Sequence, residues 1–91
     1  MSAFVVAALY HFHPVEHLEV VKEELQALCD SQSVMGTLLL ATEGINGTVA
    51  GSREGIDALL AYLHAHPSFA ELIHKESFAE AQPFDKMKVK I

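Results

Sequence analysis

The stretch LLLATEGINGTVAG, residues 38 to 51, leaves this chain little choice of local structure. Two apolar, strand-prone runs flank Glu43, Gly44, Ile45, Asn46 and Gly47, and a gap that short joins strands only as an antiparallel hairpin. Gly44 and Asn46 are residue types that tolerate positive φ, so both suit a bend. Two registers satisfy the pattern. A two-residue loop, Glu43-Gly44, pairs Thr42 with Ile45 and sets Leu38 opposite Val49; a four-residue loop, Glu43 to Asn46, sets Leu40 opposite Val49. Each keeps the apolar side chains on one face. The expected role of the Glu43 and Asn46 side chains is to bond the backbone of their own turn. The functional alternative has the turn present a carboxylate and an amide to a neighbouring domain or ligand.

The rest of the chain supplies partners for that hairpin. AFVVAALYHF, residues 3 to 12, is β-branched and aromatic, and Pro14 stops it, which predicts a central strand. Pro14 suits the first position of a helix, with Glu16 in the favourable first turn. Leu18, Val21, Leu25 and Leu28 then recur at helical spacing with charges off the stripe, predicting an amphipathic helix from 14 to about 31. Strands are predicted over 34 to 42 and 45 to 51. Ser52 is a reasonable N-cap for a second helix bearing Ile56, Leu59, Leu60 and Leu63, which Pro67 ends. ELIHKESFA, residues 71 to 79, reads as a polar edge strand, and FDKMKVKI at the end alternates lysines with apolar residues. The order β-α-β-β-α-β with one further strand predicts an α+β, ferredoxin-like (acylphosphatase-like) fold, an antiparallel sheet with two helices on one face. One domain spans residues 1 to 91, and this fold carries many unrelated activities.

Composition narrows the function. The formal charge is −6, twelve acids against six Lys and Arg, which disfavours strong phosphate binding by the domain alone. The opening MSAFVVAALYHFHP lacks a positive n-region, and its apolar run reaches only about half a membrane span, so neither a signal peptide nor a membrane segment is expected. The single cysteine, Cys29, excludes an internal disulfide and fits a reducing cytoplasm.

Cys29 lies beside the buried stripe of the first helix, near Glu24 and Asp30, a poor setting for a thiolate. Six histidines are many, but a zinc site needs three or four converging ligands and these are scattered, most of them over the first strand, the start of the first helix and the end of the second, so no metal or other cofactor is read from them. Lys86, Lys88 and Lys90 recur at steps of about 6.6 Å along one strand face. They suit either a minor RNA contact or the protection of an exposed edge, and the edge reading is favoured. On the first strand Phe4, Val6, Ala8, Tyr10 and Phe12 alternate with Val5, Ala7, Leu9 and His11, so both faces are largely apolar although two helices cover only one. The second face needs a partner. Tyr10 and Phe12 could stack on bases, but the aromatic and basic pattern of RNA-recognition sheets is absent, and packing on protein is favoured.

LLLATEGINGTVAG, followed by FDKMKVKI, resembles the N-terminal domain of the rhodanese-related tRNA uridine hydroxylase family, and the likeness runs from Tyr10 to Ile91. The resemblance implies oxygen-dependent hydroxylation at carbon 5 of the wobble uridine, with a cysteine in a rhodanese domain that follows the segment present here. It therefore implies a non-catalytic accessory domain with no catalytic residue and no cofactor. Its partners would be the rhodanese domain, docked on the open sheet face, and tRNA through the whole enzyme. Glu43 to Gly47 would be a possible interdomain contact, and Lys86, Lys88 and Lys90 a possible RNA contact. The alternatives are a free-standing ligand-binding or oligomerising module and an acylphosphatase. The second lacks an arginine in a glycine-rich loop after the first strand, since the only arginine, Arg53, begins the second helix.

Overall fold

The computed structural model describes residues 3–91. Strand β1 (Phe4–Phe12) leads to helix α1 (Leu18–Ser31), strands β2 (Met35–Ala41) and β3 (Gly44–Gly51), helix α2 (Arg53–Ala65), a 3-10 turn (Pro67–Phe69), and strands β4 (Ile73–Ala79) and β5 (Met87–Lys90). The sheet order is β4-β1-β3-β2-β5. All pairings are antiparallel except β2 with β5, so the sheet is mixed, and the final strand extends the expected βαββαβ core as a parallel edge. The polar strand β4 is the other edge, as its composition predicts.

Both helices cover one face. Val5, Ala7 and Leu9 from β1, Leu38 and Leu40 from β2, Ile45 and Val49 from β3 and Val89 from β5 meet Val21, Leu25 and Cys29 of α1 and Ile56, Leu59 and Leu63 of α2. Each such Leu or Val contributes about 1.5–3 kcal/mol by leaving water. Ser52 caps α2, its Oγ accepting from the Gly55 N–H at 3.0 Å. The 3-10 turn, absent from the sequence expectation, carries the fully buried Phe69 under the end of α2.

Helix α1 starts at Leu18, not Pro14. The segment after β1 stays extended because its donors are already engaged: the His13 N–H donates to Glu43 O (3.0 Å) and the Val15 N–H to Thr42 O (2.9 Å). Buried Val15 pins this strap to the core, and His17, with φ 56, turns the chain into the helix. Histidine is among the side chains that accept this conformation more readily than most.

Neither expected hairpin register forms. The turn is Thr42-Glu43, with Ala41 opposite Gly44, Leu40 opposite Ile45, Leu38 opposite Gly47 and Gly36 opposite Val49. Thr42 and Glu43 keep negative φ, and the glycines sit inside the ladder. A Cβ on Gly44 would lie 2.1 Å from His11 O, and one on Gly47 2.1 Å from Thr37 O. These two residues, at φ 153 and φ 151, therefore mark where neighbouring backbones come closest, and that approach sets the register.

Candidate functional site

The hairpin corner separates the expected motif residues. Ile45 is buried in the core and Gly44 and Gly47 belong to the ladder, leaving Glu43 and Asn46 exposed. Their side chains enter no hydrogen bond among the described residues. The turn is held instead through its own carbonyls by His13 and Val15, so the expectation that Glu43 and Asn46 bond their turn is not met. Asn46 faces Tyr10 of β1 and Leu39 of β2 across the ladders. A hollow of about 120 Å³ lies here, lined by Tyr10, Phe12, Leu39, Glu43 and Asn46 among others.

Register assigns the remainder of the uncovered face. One row across all five strands reads Ile73, Tyr10, Asn46, Leu39, Lys90; the next reads Lys75, Ala8, Thr48, Thr37, Lys88. Tyr10 and Phe12 are 59% and 68% exposed and meet edge to face, with ring centres 4.9 Å apart. Ile73 and Leu39 flank them, both exposed. Lys86 stands just before β5 and joins Lys88, Lys90, Thr37 and Asp85 around a depression of about 300 Å³. A third hollow, about 380 Å³, is lined by Ala8, Tyr10, Ile73 and Lys75 with Leu9 and His74. The three expected lysines thus share one site, and Lys75 joins their face from the opposite edge. Sequence reasoning missed Lys75 because a polar edge strand gives no sign of which side chains turn toward the aromatic pair.

Elsewhere the reactive side chains are engaged or covered. Cys29 is fully buried, and burial, helped by the Asp30 charge, pushes its thiol up to about 12. Arg53 forms a two-pronged pair with Glu76 (2.9 and 2.7 Å) and also donates to Asp57 (2.8 Å), which holds its own pKa above the usual range. His74 lies 2.9 Å from the same Glu76, whose carboxyl is lowered to about 2, chiefly by Arg53. An arginine held by two carboxylates is a poor phosphate ligand. A further hollow, about 660 Å³, is bordered by His13, His17, His66, Glu16, Glu24 and Ser68. Its polar walls partly bond one another: Ser68 Oγ donates to Pro14 O (3.0 Å), the Ser68 N–H to His66 Nδ1 (3.1 Å) and Tyr62 OH to Glu24 (2.6 Å). Among the described residues no three His, Cys, Asp or Glu side chains converge as a metal site, and no helix is long and apolar enough to cross a membrane.

The architecture is shared with solved proteins of low sequence identity, which shows the fold alone. An acylphosphatase from Coxiella burnetii superposes with a TM-score of 0.69 at 13% identity, over 97% of this chain and 92% of that one. The BLUF protein BlrB gives 0.76 at 18% identity, over 99% and 74%. Sequence relatives are far nearer. A tRNA uridine(34) hydroxylase of Sinorhizobium medicae is 59% identical over 88 residues, and one of Rhizobium leguminosarum bv. trifolii 56% over 90. These alignments take in 97% and 99% of this chain but only 28% and 29% of the relatives' length. The model of the UPF0176 acylphosphatase-like domain matches residues 4–91, and the chain belongs to that family.

Proposed function

We propose that this chain is the non-catalytic N-terminal domain of a cytoplasmic tRNA uridine(34) hydroxylase. It orients a following rhodanese domain, which carries the oxygen-dependent chemistry at carbon 5 of the wobble uridine, and helps to place the tRNA. The observation that carries this reading is the state of Cys29: the chain's only thiol is sealed in the core with a raised pKa, so the cysteine-dependent chemistry that the resemblance implies needs a thiol from beyond this segment. The shared sequence with hydroxylases over little more than a quarter of their length supports the same division of labour. Strand β5 runs parallel to β2, with Lys90 beside Leu39, so a following segment emerges near the Thr42-Glu43 turn. That corner, with Glu43 exposed and its backbone tied to His13 and Val15, is a rigid place to set the next domain's orientation.

Complementation separates the parts. In a strain lacking its own hydroxylase, the full-length natural protein will restore 5-hydroxyuridine in tRNA, as read by mass spectrometry of nucleosides. The 91-residue chain will not. Cys29→Ala in the full-length protein will retain the modification. Hydroxylation by the short chain, or its loss in a folded Cys29→Ala protein, would overturn this assignment.

A further inference from the structure

Resting on that reading, we propose that the open sheet face binds a single-stranded segment of RNA laid across the strands. Bases stack on Tyr10 and Phe12, and phosphates meet Lys75 at one edge and Lys88 and Lys90 at the other. Three observations converge. The first is charge: none of the chain's twelve acids occupies an open-face position in any strand, whereas three of its six Lys and Arg do. A domain of net charge −6 has kept one face free of strand carboxylates, and a polyanion is the partner that face complements.

The second observation is the aromatic pair at the centre. Tyr10 and Phe12 are more than half exposed and hold each other edge to face, which leaves ring surface open for stacking. Between them and the lysines stand Asn46, Thr48 and Thr37, able to donate and accept toward base edges and 2′-hydroxyls. The third is shape. Hollows of about 380, 120 and 300 Å³ follow one another from β4 past Tyr10 to β5, with Lys75 at the first, Glu43 at the turn end of the second, and Lys86, Lys88 and Lys90 outnumbering Asp85 at the last. The outer two, with their lysines, suit a phosphate, and the middle one, walled by Tyr10, Phe12 and Leu39, suits a small planar group. A second copy placed face to face would find no strand acid opposite its lysines.

The sequence favours protein packing because the first strand taken alone looks apolar on both sides. Strand pairing adds the lysines of two other strands and the amide and hydroxyls of β2 and β3 to that same face.

The test is a titration of the 15N-labelled chain with an eight-nucleotide oligouridine and with an RNA duplex of equal length. Shifts will gather at Tyr10, Asn46, Thr48, Leu39 and Lys88, and the single strand will bind tighter than the duplex. A roughly sixfold rise in salt will weaken binding about fortyfold, as expected for release of counterions at three lysine contacts. The double variant Tyr10→Ser/Phe12→Ser, altered only at exposed positions, will bind roughly tenfold or more weakly. Lys88→Glu/Lys90→Glu will bind weakly with a flatter salt slope, and Lys22→Glu on α1 will bind as the parent does. Shifts confined to the helix side, equal affinity for duplex, or undiminished binding by the aromatic variant would overturn the proposal. So would a full-length Tyr10→Ser/Phe12→Ser protein that keeps its tRNA affinity but melts at lower temperature, because the face would then be a seat for the following domain. Failure of the wild-type full-length protein to hydroxylate would count against the family activity instead, and the oligouridine titration still decides the face.

Discussion

Gly47 shows how one missing side chain can set a register. Its α-carbon lies so near the Thr37 carbonyl that an added methyl would sit 2.1 Å from the oxygen, on a backbone at φ 151. Gly47→Ala should therefore lose roughly 2–3 kcal/mol in urea unfolding. The adjacent Asn46→Ala, whose side chain is exposed, should change stability by less than about 0.5 kcal/mol. The contrast was not legible in the sequence, where glycine beside asparagine looks like turn chemistry for both. Glu76 makes a second residue-scale prediction, on pH. Its carboxyl is lowered from 4.5 to about 2 in the folded protein, so its contribution is complete above about pH 4.5 and fades as pH falls toward 2. Glu76→Gln should flatten the acid limb of the stability profile within that window and leave neutral pH little changed. Thermal melts at pH 6, 4, 3 and 2.5 would show it, and an unaltered limb would mean that the ion pair with Arg53 contributes nothing measurable.

Strands and helices were largely legible because their signals are local and repetitive. The stripe of α1, the Ser52 cap of α2 and the edge character of β4 all follow from residue spacing. The misread boundary at Pro14 has a tertiary cause: donors that a first helical turn would leave free are taken by carbonyls of a hairpin thirty residues on. Gln26 illustrates the same blindness. Spacing places it off the buried stripe, as a solvated residue, yet its amide grips the last strand. Nε2 donates to Met87 O (3.2 Å), and Oε1 accepts from the Val89 N–H (3.1 Å). Strand β5 has only four residues and one strand neighbour, so this side chain substitutes for part of a missing ladder. Gln26→Ala should cost about 1–2 kcal/mol. Amide exchange at Val89 should quicken by tenfold or more while the β1–β3 core amides hold their rates. Uniform acceleration would show instead that β5 unfolds only with the whole domain.

For the whole molecule, fold class could be read before any coordinates from the order of periodic elements, and family from the resemblance carried by LLLATEGINGTVAG and FDKMKVKI. The open face could not, because it is assembled from five strands in an order, β4-β1-β3-β2-β5, that no run of neighbouring residues reveals. That assembly has an electrical consequence. Acids crowd the helices and loops, while Lys75, Lys88 and Lys90 look out from the sheet, so an overall negative body carries a fixed internal dipole. Such a body tumbles into preferred attitudes in the field of any highly charged polymer before touching it. On the RNA reading proposed above, approach by the acidic helix side is disfavoured and approach by the lysine-bearing sheet is favoured.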